Sequence, residues 1–403
     1  MHIHDVVIIG AGPTGCYAAS QLSKAGFDVL VLDKNSSFEH HPVCTGIIGV
    51  EAFERFKLPK DSILSSIKDI LFFSPSGLKL AFQPESTQAY VVDRIKFDQG
   101  LRELALKNGA NIKLGASCKK IKIEKTQVDI NISTGENIKA RAVVIATGFN
   151  RSLSESLGMG SPSGYVHGVQ TEVRMEGVEE ARIYIGNDIA PGSFAWVVGL
   201  GNGLVRIGLT AKNNAPFLLK KFLERMHLKD RINGKNTILG RIIPVGSLRK
   251  TYSDRMLVIG EAAGLVKTTT HGGIYYGLIS SQLATETLME AFREGNLASS
   301  LMRKYERQWK NILDREIKTG YMIRRFFSYL TDEQIDRLFK IALSNGVMDI
   351  IYEKVRFDWH GDLIFSLTRH FPIKQYFSKH LSCRYSALKS EKSSPLFQFS
   401  DFY

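Results

Sequence analysis

The chain is short of several things, and each shortage narrows its class. It has four cysteines in 403 residues, Cys16, Cys44, Cys118 and Cys383, scattered and without a C-x-x-C pair. That argues against a disulfide scaffold and against an iron–sulfur or other metal site, and it points to a reducing compartment. No apolar run reaches the ~18 residues that would span a bilayer. The N-terminus enters a strand-like run directly, without a charged n-region and apolar h-region, so no signal peptide is expected and a cytoplasmic location is. Repeats are absent, and the one biased segment is a polar tail near Lys389 to Pro395. Acidic residues are the scarcer charge, 40 against 53 basic, for a formal net charge of +13. This balance favours anionic partners such as phosphates or lipid head groups, or it marks only a lysine-rich surface. Nucleic acid is not an expected partner. Hydrophobic residues make up 44% and charged residues 23%, the proportions of a soluble globular protein, and the length implies two or three lobes.

What is present begins at once. Residues 5–33 read DVVIIGAGPTGCYAASQLSKAGFDVLVLD. Val6 to Ile9 reads as a buried parallel strand. Gly10, Gly12 and Gly15 follow in the spacing G-x-G-x-x-G, a helix-like run leads to Gly26, and a second strand ends on Asp33. Gly10 permits the tight turn, Gly12 the approach of a pyrophosphate, and Gly15 close packing of helix on strand. The helix N-terminus offers free N–H groups to phosphates, and Asp33 can accept ribose hydroxyls. A bare glycine motif is weak; between a strand and a helix, and ending on an acid, it implies a bound dinucleotide.

The rest alternates in style. Hairpin chemistry at Ser74-Pro-Ser-Gly77 lies between two strands, and Ile95 to Asn108 reads as an amphipathic helix. A buried strand ends at Gly148. From Arg151 to about Thr251 strands dominate, interrupted by a helix at Ala215 to Met226, as in an antiparallel sheet. Met256 to Gly260 returns to the buried-strand style. The last ~100 residues are helical by period, with a capping box at Thr331-Asp-Glu-Gln334. The expected fold is α/β: a Rossmann-like dinucleotide domain (1–70, 94–150 and 252–300) interleaved with an antiparallel-sheet substrate domain (hairpin 71–93, then 151–251), followed by a C-terminal helical region (301–403).

A second glycine cluster, Gly260-Glu-Ala-Ala-Gly264 and then Thr268-Thr-Thr-His-Gly-Gly-Ile-Tyr-Tyr-Gly277, again follows a buried strand and opens a helix. Two such ends suit a long dinucleotide such as FAD, gripped from both sides.

These residues resemble the geranylgeranyl reductases, FAD enzymes of the p-hydroxybenzoate hydroxylase type of fold. The resemblance rests on the two segments just quoted, on Arg94-Ile-Lys-Phe-Asp98, on Cys44, and on Phe194-Ala-Trp-Val-Val-Gly199 after Pro191-Gly192. It runs from residue 1 to about 300 and more weakly beyond. Departures are Glu261 for the usual Asp, His271 for a glycine, Thr268 for a proline, Val198-Gly199 for Phe-Pro, and Thr147-Gly148 for Asp-Gly.

The resemblance implies FAD contacts at Gly10, Gly12, Thr14, Gly15, Asp33 and Lys34. Further contacts are implied at Cys44, Thr45, Arg94 and Cys118, and at Gly260, Glu261, Gly264, Gly272, Gly273 and Ile274. Phe194, Trp196 and Tyr276 are expected to line a cavity for a polyprenyl chain, or else to pack the core. His271, Cys44 and Tyr275 are the candidate proton donors, His271 because imidazole ordinarily titrates near neutrality. The implied reaction is saturation of isoprenoid double bonds on a prenyl lipid or prenyl diphosphate. An external electron donor is implied too, reduced nicotinamide or a ferredoxin-like protein. Paired bases among aromatics, as in Arg324-Arg-Phe-Phe-Ser-Tyr-Leu330, suggest a peripheral contact with the inner, anionic face of a membrane, although a solvated helix face has the same composition. The alternatives are a flavin monooxygenase or halogenase of the same fold, and a membrane-associated flavoprotein that only relays electrons.

Overall fold

The structure, a computed structural model, describes residues 2–38, 42–228, 238–344 and 346–370. Cys383, the polar tail and the last part of the helical region lie outside the described residues. Among the described residues the strands form three sheets.

The first sheet is built on the opening strand, Ile3–Ile9, in which Val6, Val7 and Ile8 are fully buried. A strand apolar on both faces needs cover on both, and parallel pairing with intervening helices supplies it. On one side it pairs in parallel with Val29–Leu32 and then Asn111–Lys113. On the other it pairs in parallel with Asn137–Ile145, which pairs in parallel with Met256–Val258. The chain therefore leaves this sheet after Ile145 and returns about a hundred residues later.

The excursion builds the second sheet, in the order Leu239–Val245, Gly164–Arg174, Leu204–Ala211, Ala195–Gly201, Ala181–Tyr184, Ile70–Phe73 and Lys79–Phe82. It is antiparallel except where Ala181–Tyr184 runs parallel to Ile70–Phe73. A third, small sheet joins Ile47–Gly49, Ala89–Val92 and Ile63–Ile67.

One strand escapes a reading by pattern. Leu239–Val245 contains Gly240 and Pro244, both poor strand formers. It pairs with Gly164–Arg174 and closes the sheet as an edge, where a residue without an N–H is tolerated. It matters because it carries Arg241.

The C-terminal helices are anchored to the first sheet. Tyr305 and Trp309 of helix Ser299–Trp309 are fully buried; the Tyr305 hydroxyl donates to the Val258 carbonyl (2.8 Å), and the Trp309 indole to Thr251 Oγ1 (2.9 Å). A π-helical turn, Lys310–Asp314, leads into helix Arg315–Phe327. The expected capping box forms at the next helix start: Gln334 N donates to Thr331 Oγ1 (3.3 Å) and Thr331 N to Gln334 Oε1 (2.9 Å). No described helix is long and apolar enough to cross a membrane.

Candidate active site

Both glycine clusters open onto one cleft of about 310 Å³. The three glycines of the first motif have separate reasons to be glycine. A Cβ on Gly10, whose φ is +114°, would lie 2.4 Å from the Ala146 carbonyl oxygen, and one on Gly15 would lie 2.0 Å from the Gly10 oxygen. These two are packing glycines. A Cβ on Gly12 would meet nothing within 4 Å. Gly12 instead keeps the cleft open in front of helix Pro13–Lys24, which has proline at its start and no acid in its first turn. An unobstructed N-terminus without a competing carboxylate suits a phosphate. Asp33 Oδ2 accepts from Ala11 N (2.7 Å) and Oδ1 from Asn35 N (2.8 Å), so the carboxylate also stiffens the loop.

The second cluster packs directly on the first. Helix Ile274–Arg293 lies so close to helix Pro13–Lys24 that a Cβ on Gly277 would lie 2.5 Å from Thr14 Oγ1, and one on Gly260 2.8 Å from Thr14 Cγ2. Glu261 is paired with Arg241 and accepts from Phe149 N (3.2 Å). The carboxylate that replaces the usual aspartate is thus held by an arginine from the edge strand.

Of the residues expected at the cofactor, Gly10, Gly12, Thr14, Asp33, Lys34, Cys44, Arg94, Glu261, Gly272, Gly273 and Ile274 line this cleft, as do His271 and Tyr275. Gly15, Gly260 and Gly264 stand behind its wall as packing positions. Thr45 lies outside, its hydroxyl on Gln170 Oε1 (3.3 Å). Cys118 also lies outside, half-buried at the start of strand Cys118–Ile123; burial pushes its thiol up to about 11. Leu114 supplies the wall on that side.

The expected cavity residues are packed instead. Trp196 lies flat over Gly208, where a Cβ would meet the indole at 2.3 Å, within the apolar layer containing Ile67, Val91 and Val198. Tyr276 is buried, with its hydroxyl donating to the Asp358 carbonyl (3.1 Å). Phe194 stacks on His271 at 5.9 Å, with 8° between the planes.

His271 departs from the expected titration near neutrality. Burial, followed by the nearby Arg324 guanidinium, holds its pKa well below the usual 6.5. Arg324 donates to Nε2, which leaves Nδ1–H to donate to Thr210 Oγ1 (3.3 Å). The ring is neutral and both nitrogens are engaged. Its φ of +62° is left-handed, a conformation glycine adopts freely and histidine at a cost. Tyr275 is engaged too: its hydroxyl donates to Glu51, and burial together with that carboxylate pushes its pKa up. Cys44 lines the cleft half-buried, with its thiol hydrogen-bonded to the Arg94 side chain. Arg94 itself makes a buried bidentate pair with Asp98 (3.0 and 3.1 Å).

Sequence reasoning missed Arg241, Lys267 and Asp358, all of which line the cleft. Lys267 Nζ and Asp358 Oδ1 form a buried ion pair at 2.6 Å, with side chains 7% and 2% exposed. Asp358 comes from the segment joining helices Val347–Lys354 and Gly361–His370. That segment is strapped to the second cluster. His360 Nδ1 meets Thr269 Oγ1 (2.6 Å), and the Trp359 indole donates to Glu51 Oε2 (3.0 Å). Glu316 accepts from the backbone N–H groups of His360 (2.8 Å) and Gly361 (2.9 Å).

Known proteins share this arrangement. The family model for pyridine nucleotide-disulphide oxidoreductases matches residues 4–179. A digeranylgeranylglycerophospholipid reductase of Methanocaldococcus jannaschii is 28% identical over 354 residues, covering 83% of this chain and 90% of that protein. One from Methanosarcina acetivorans is 26% identical over 375 residues, covering 88% and 91%. Among solved structures, a geranylgeranyl bacteriochlorophyll reductase-like protein from Thermoplasma acidophilum superposes with a TM-score of 0.82 at 21% identity, covering 94% of this chain and 99% of that one. The halogenase PltM in complex with FAD superposes at 0.69 and 17% identity, covering 94% and 92%. The chain is homologous to reductases of this name over most of its length, and the resemblance and fold class read from the motifs are borne out.

Proposed function

We propose that the protein is an FAD-dependent reductase that saturates isoprenoid carbon–carbon double bonds of a prenyl lipid or prenyl diphosphate. The observation that carries the reading is the single cleft formed by two glycine clusters 250 residues apart, on a chain homologous to named prenyl-lipid reductases. The cleft fits the cofactor: Gly12 leaves open space before an acid-free helix N-terminus, and a second helix N-terminus, at Gly273, faces the same space. Gly12, Thr14 and the first helix would hold the pyrophosphate, Asp33 and Lys34 the adenosine end, and Gly272 to Ile274 with Glu261 the ribityl and ring end. When bound and reduced, FAD supplies a hydride equivalent.

The chain's own task is to position the alkene, exclude water and deliver a proton. An isolated alkene is a poor electrophile, so orientation in a dry site must account for much of the rate. Of the three candidate donors, His271 is neutral with both nitrogens engaged, and Tyr275 holds its proton tightly. Cys44 is therefore assigned the proton. Arg94 faces its sulfur and would stabilise the thiolate left behind. The electron donor is external, a reduced nicotinamide or a ferredoxin-like protein. Contact with an anionic membrane surface belongs to the same reading: helix Ala215–Arg225 leaves Phe217 67% exposed beside Lys220 and Lys221.

The test is direct. Purified protein with FAD, a chemical or nicotinamide reductant and geranylgeranyl lipids should give products heavier by two hydrogens per bond. Unchanged lipid masses with fully reduced flavin would leave an electron carrier. Substrate-stimulated oxygen uptake would instead favour a monooxygenase or halogenase of the same fold.

A further inference from the structure

Arg324 is a cation without a counter-ion. Its side chain is largely buried on helix Arg315–Phe327, and among the described residues no carboxylate forms an ion pair with it. Burial lowers its pKa to about 10, and no acidic neighbour offsets that effect. The acids of the surrounding helices are spent elsewhere. Glu316 accepts from the His360 and Gly361 amides, Asp332 from Asn187, and Asp336 from Ser76. The partner Arg324 does have is the neutral imidazole of His271. That contact orients the guanidinium but cannot neutralise it, and an uncompensated buried charge costs several kcal/mol.

The surroundings are rich in groups that hold the arginine in place and poor in groups that satisfy it. His271 passes its remaining proton to Thr210 Oγ1, and Thr210 is hydrogen-bonded to Ser193. Phe194 stacks on the imidazole and fixes its plane. The remaining N–H groups of Arg324 have no acceptor among the described residues. They lie on the antiparallel-sheet side of the cleft, behind His271, whereas the first glycine loop serves the phosphates of the dinucleotide.

We propose that Arg324 binds the phosphoryl group of a phosphorylated prenyl substrate, with His271 as the positioning residue that presents the guanidinium. The assignment rests on the reductase reading above and narrows it to substrates with an anionic head group. A planar guanidinium is well matched to phosphate oxygens, and a charge-assisted bond of this kind, worth about 1.5–3 kcal/mol, corresponds to roughly 10- to 150-fold in affinity.

The experiment compares FAD-loaded wild type, Arg324→Gln and Arg324→Lys on geranylgeranyl diphosphate and on uncharged geranylgeraniol. Arg324→Gln should raise KM for the diphosphate about tenfold or more. It should leave kcat and the alcohol's KM nearly unchanged, and Arg324→Lys should recover part of the loss. Flavin absorbance of each variant verifies that the site is formed. A second arm titrates inorganic pyrophosphate into the same FAD-loaded proteins by calorimetry, without turnover. Binding by wild type that is lost in Arg324→Gln supports the anion site even if no lipid is reduced, in which case the reductase reading alone fails. Equal pyrophosphate binding by both proteins, or equal KM increases for diphosphate and alcohol, overturns the proposal. Arg324-dependent pyrophosphate binding without any preference for the phosphorylated lipid assigns the site to free phosphate and overturns the head-group role.

Discussion

Replacing Lys267 by methionine removes one partner of the buried pair and leaves Asp358 without compensation. Both side chains are more than nine-tenths buried, so solvent does little to screen the loss, and Asp358 Oδ2 has no hydrogen-bond partner to begin with. Breaking such a pair costs about 3–5 kcal/mol. The remaining anchors of the strap are the Tyr276, Thr269, Glu51 and Glu316 contacts. The first two are bonds worth about 1 kcal/mol each, and those to the carboxylates about 1.5–3 kcal/mol each. Their total exceeds the penalty, so the strap should stay docked in the variant while opening far more often. Local opening costs less than global unfolding, so the effect should appear there and not in the melting of the sheets. A 3–5 kcal/mol change raises the open population roughly 100- to several-thousand-fold. Hydrogen exchange of the 355–361 amides should accelerate accordingly, with exchange in the Ile3–Ile9 strand unchanged. Lys267→Met combined with Asp358→Leu should restore most of the protection, because an apolar pair carries no stranded charge. Exchange within about tenfold of wild type in the single variant would refute the argument.

Other outcomes follow from the same geometry. Gly12→Ala should melt like wild type yet lose FAD affinity, whereas Gly15→Ala, whose Cβ would strike the Gly10 oxygen, should destabilise the apoprotein by about 1–3 kcal/mol; calorimetry and FAD titration separate the two. Cys44→Ala should retain flavin reduction and lose lipid product, and undiminished product would remove the thiol from the reaction. His360 is held neutral, its pKa lowered from 6.5 to about 4 by burial and then by Lys267. A histidine with a depressed folded-state pKa contributes stability above pH 6.5 that is lost as pH falls towards 4, here up to about 3 kcal/mol. Proteolysis of the strap should therefore accelerate over that window, and His360→Gln should flatten the response.

What the sequence discloses here is what depends on near neighbours. The strand–glycine–helix–acid unit at 5–33 and the glycine clusters at 260–277 carry their own geometry, because turn conformation, helix starts and burial on both strand faces are set within a few residues. The capping box at Thr331 to Gln334 was legible for the same reason. Leu239–Val245 was not, since its glycine and proline disguise a strand that is stable only as an edge, and Arg241 went unnoticed with it. Asp358 could not be found, because its meaning depends on Lys267, 91 residues earlier, and nothing local marks either partner. Trp196 failed in the opposite sense: its motif suggested a cavity wall, but Gly208 on the adjacent strand gives the indole a flat seat in the core.

His271 joins these two kinds of information. As a substitution for glycine in a glycine loop it reads from sequence as a gain of function, because imidazole is reactive. The structure shows a residue in a left-handed conformation, stacked on Phe194 and committed at both nitrogens. Backbone strain of this kind persists only where the surroundings over-determine the position. The groups that do so, Thr210 on the sheet and Arg324 on the C-terminal helix, come from opposite sides of the cleft. Reverting His271 to glycine should thus relax the loop while releasing Arg324. If orientation of the guanidinium is what the histidine is for, His271→Gly should weaken pyrophosphate binding nearly as much as Arg324→Gln, with the flavin absorbance of the loaded protein unchanged. Wild-type pyrophosphate affinity in His271→Gly would show that the arginine needs no such support.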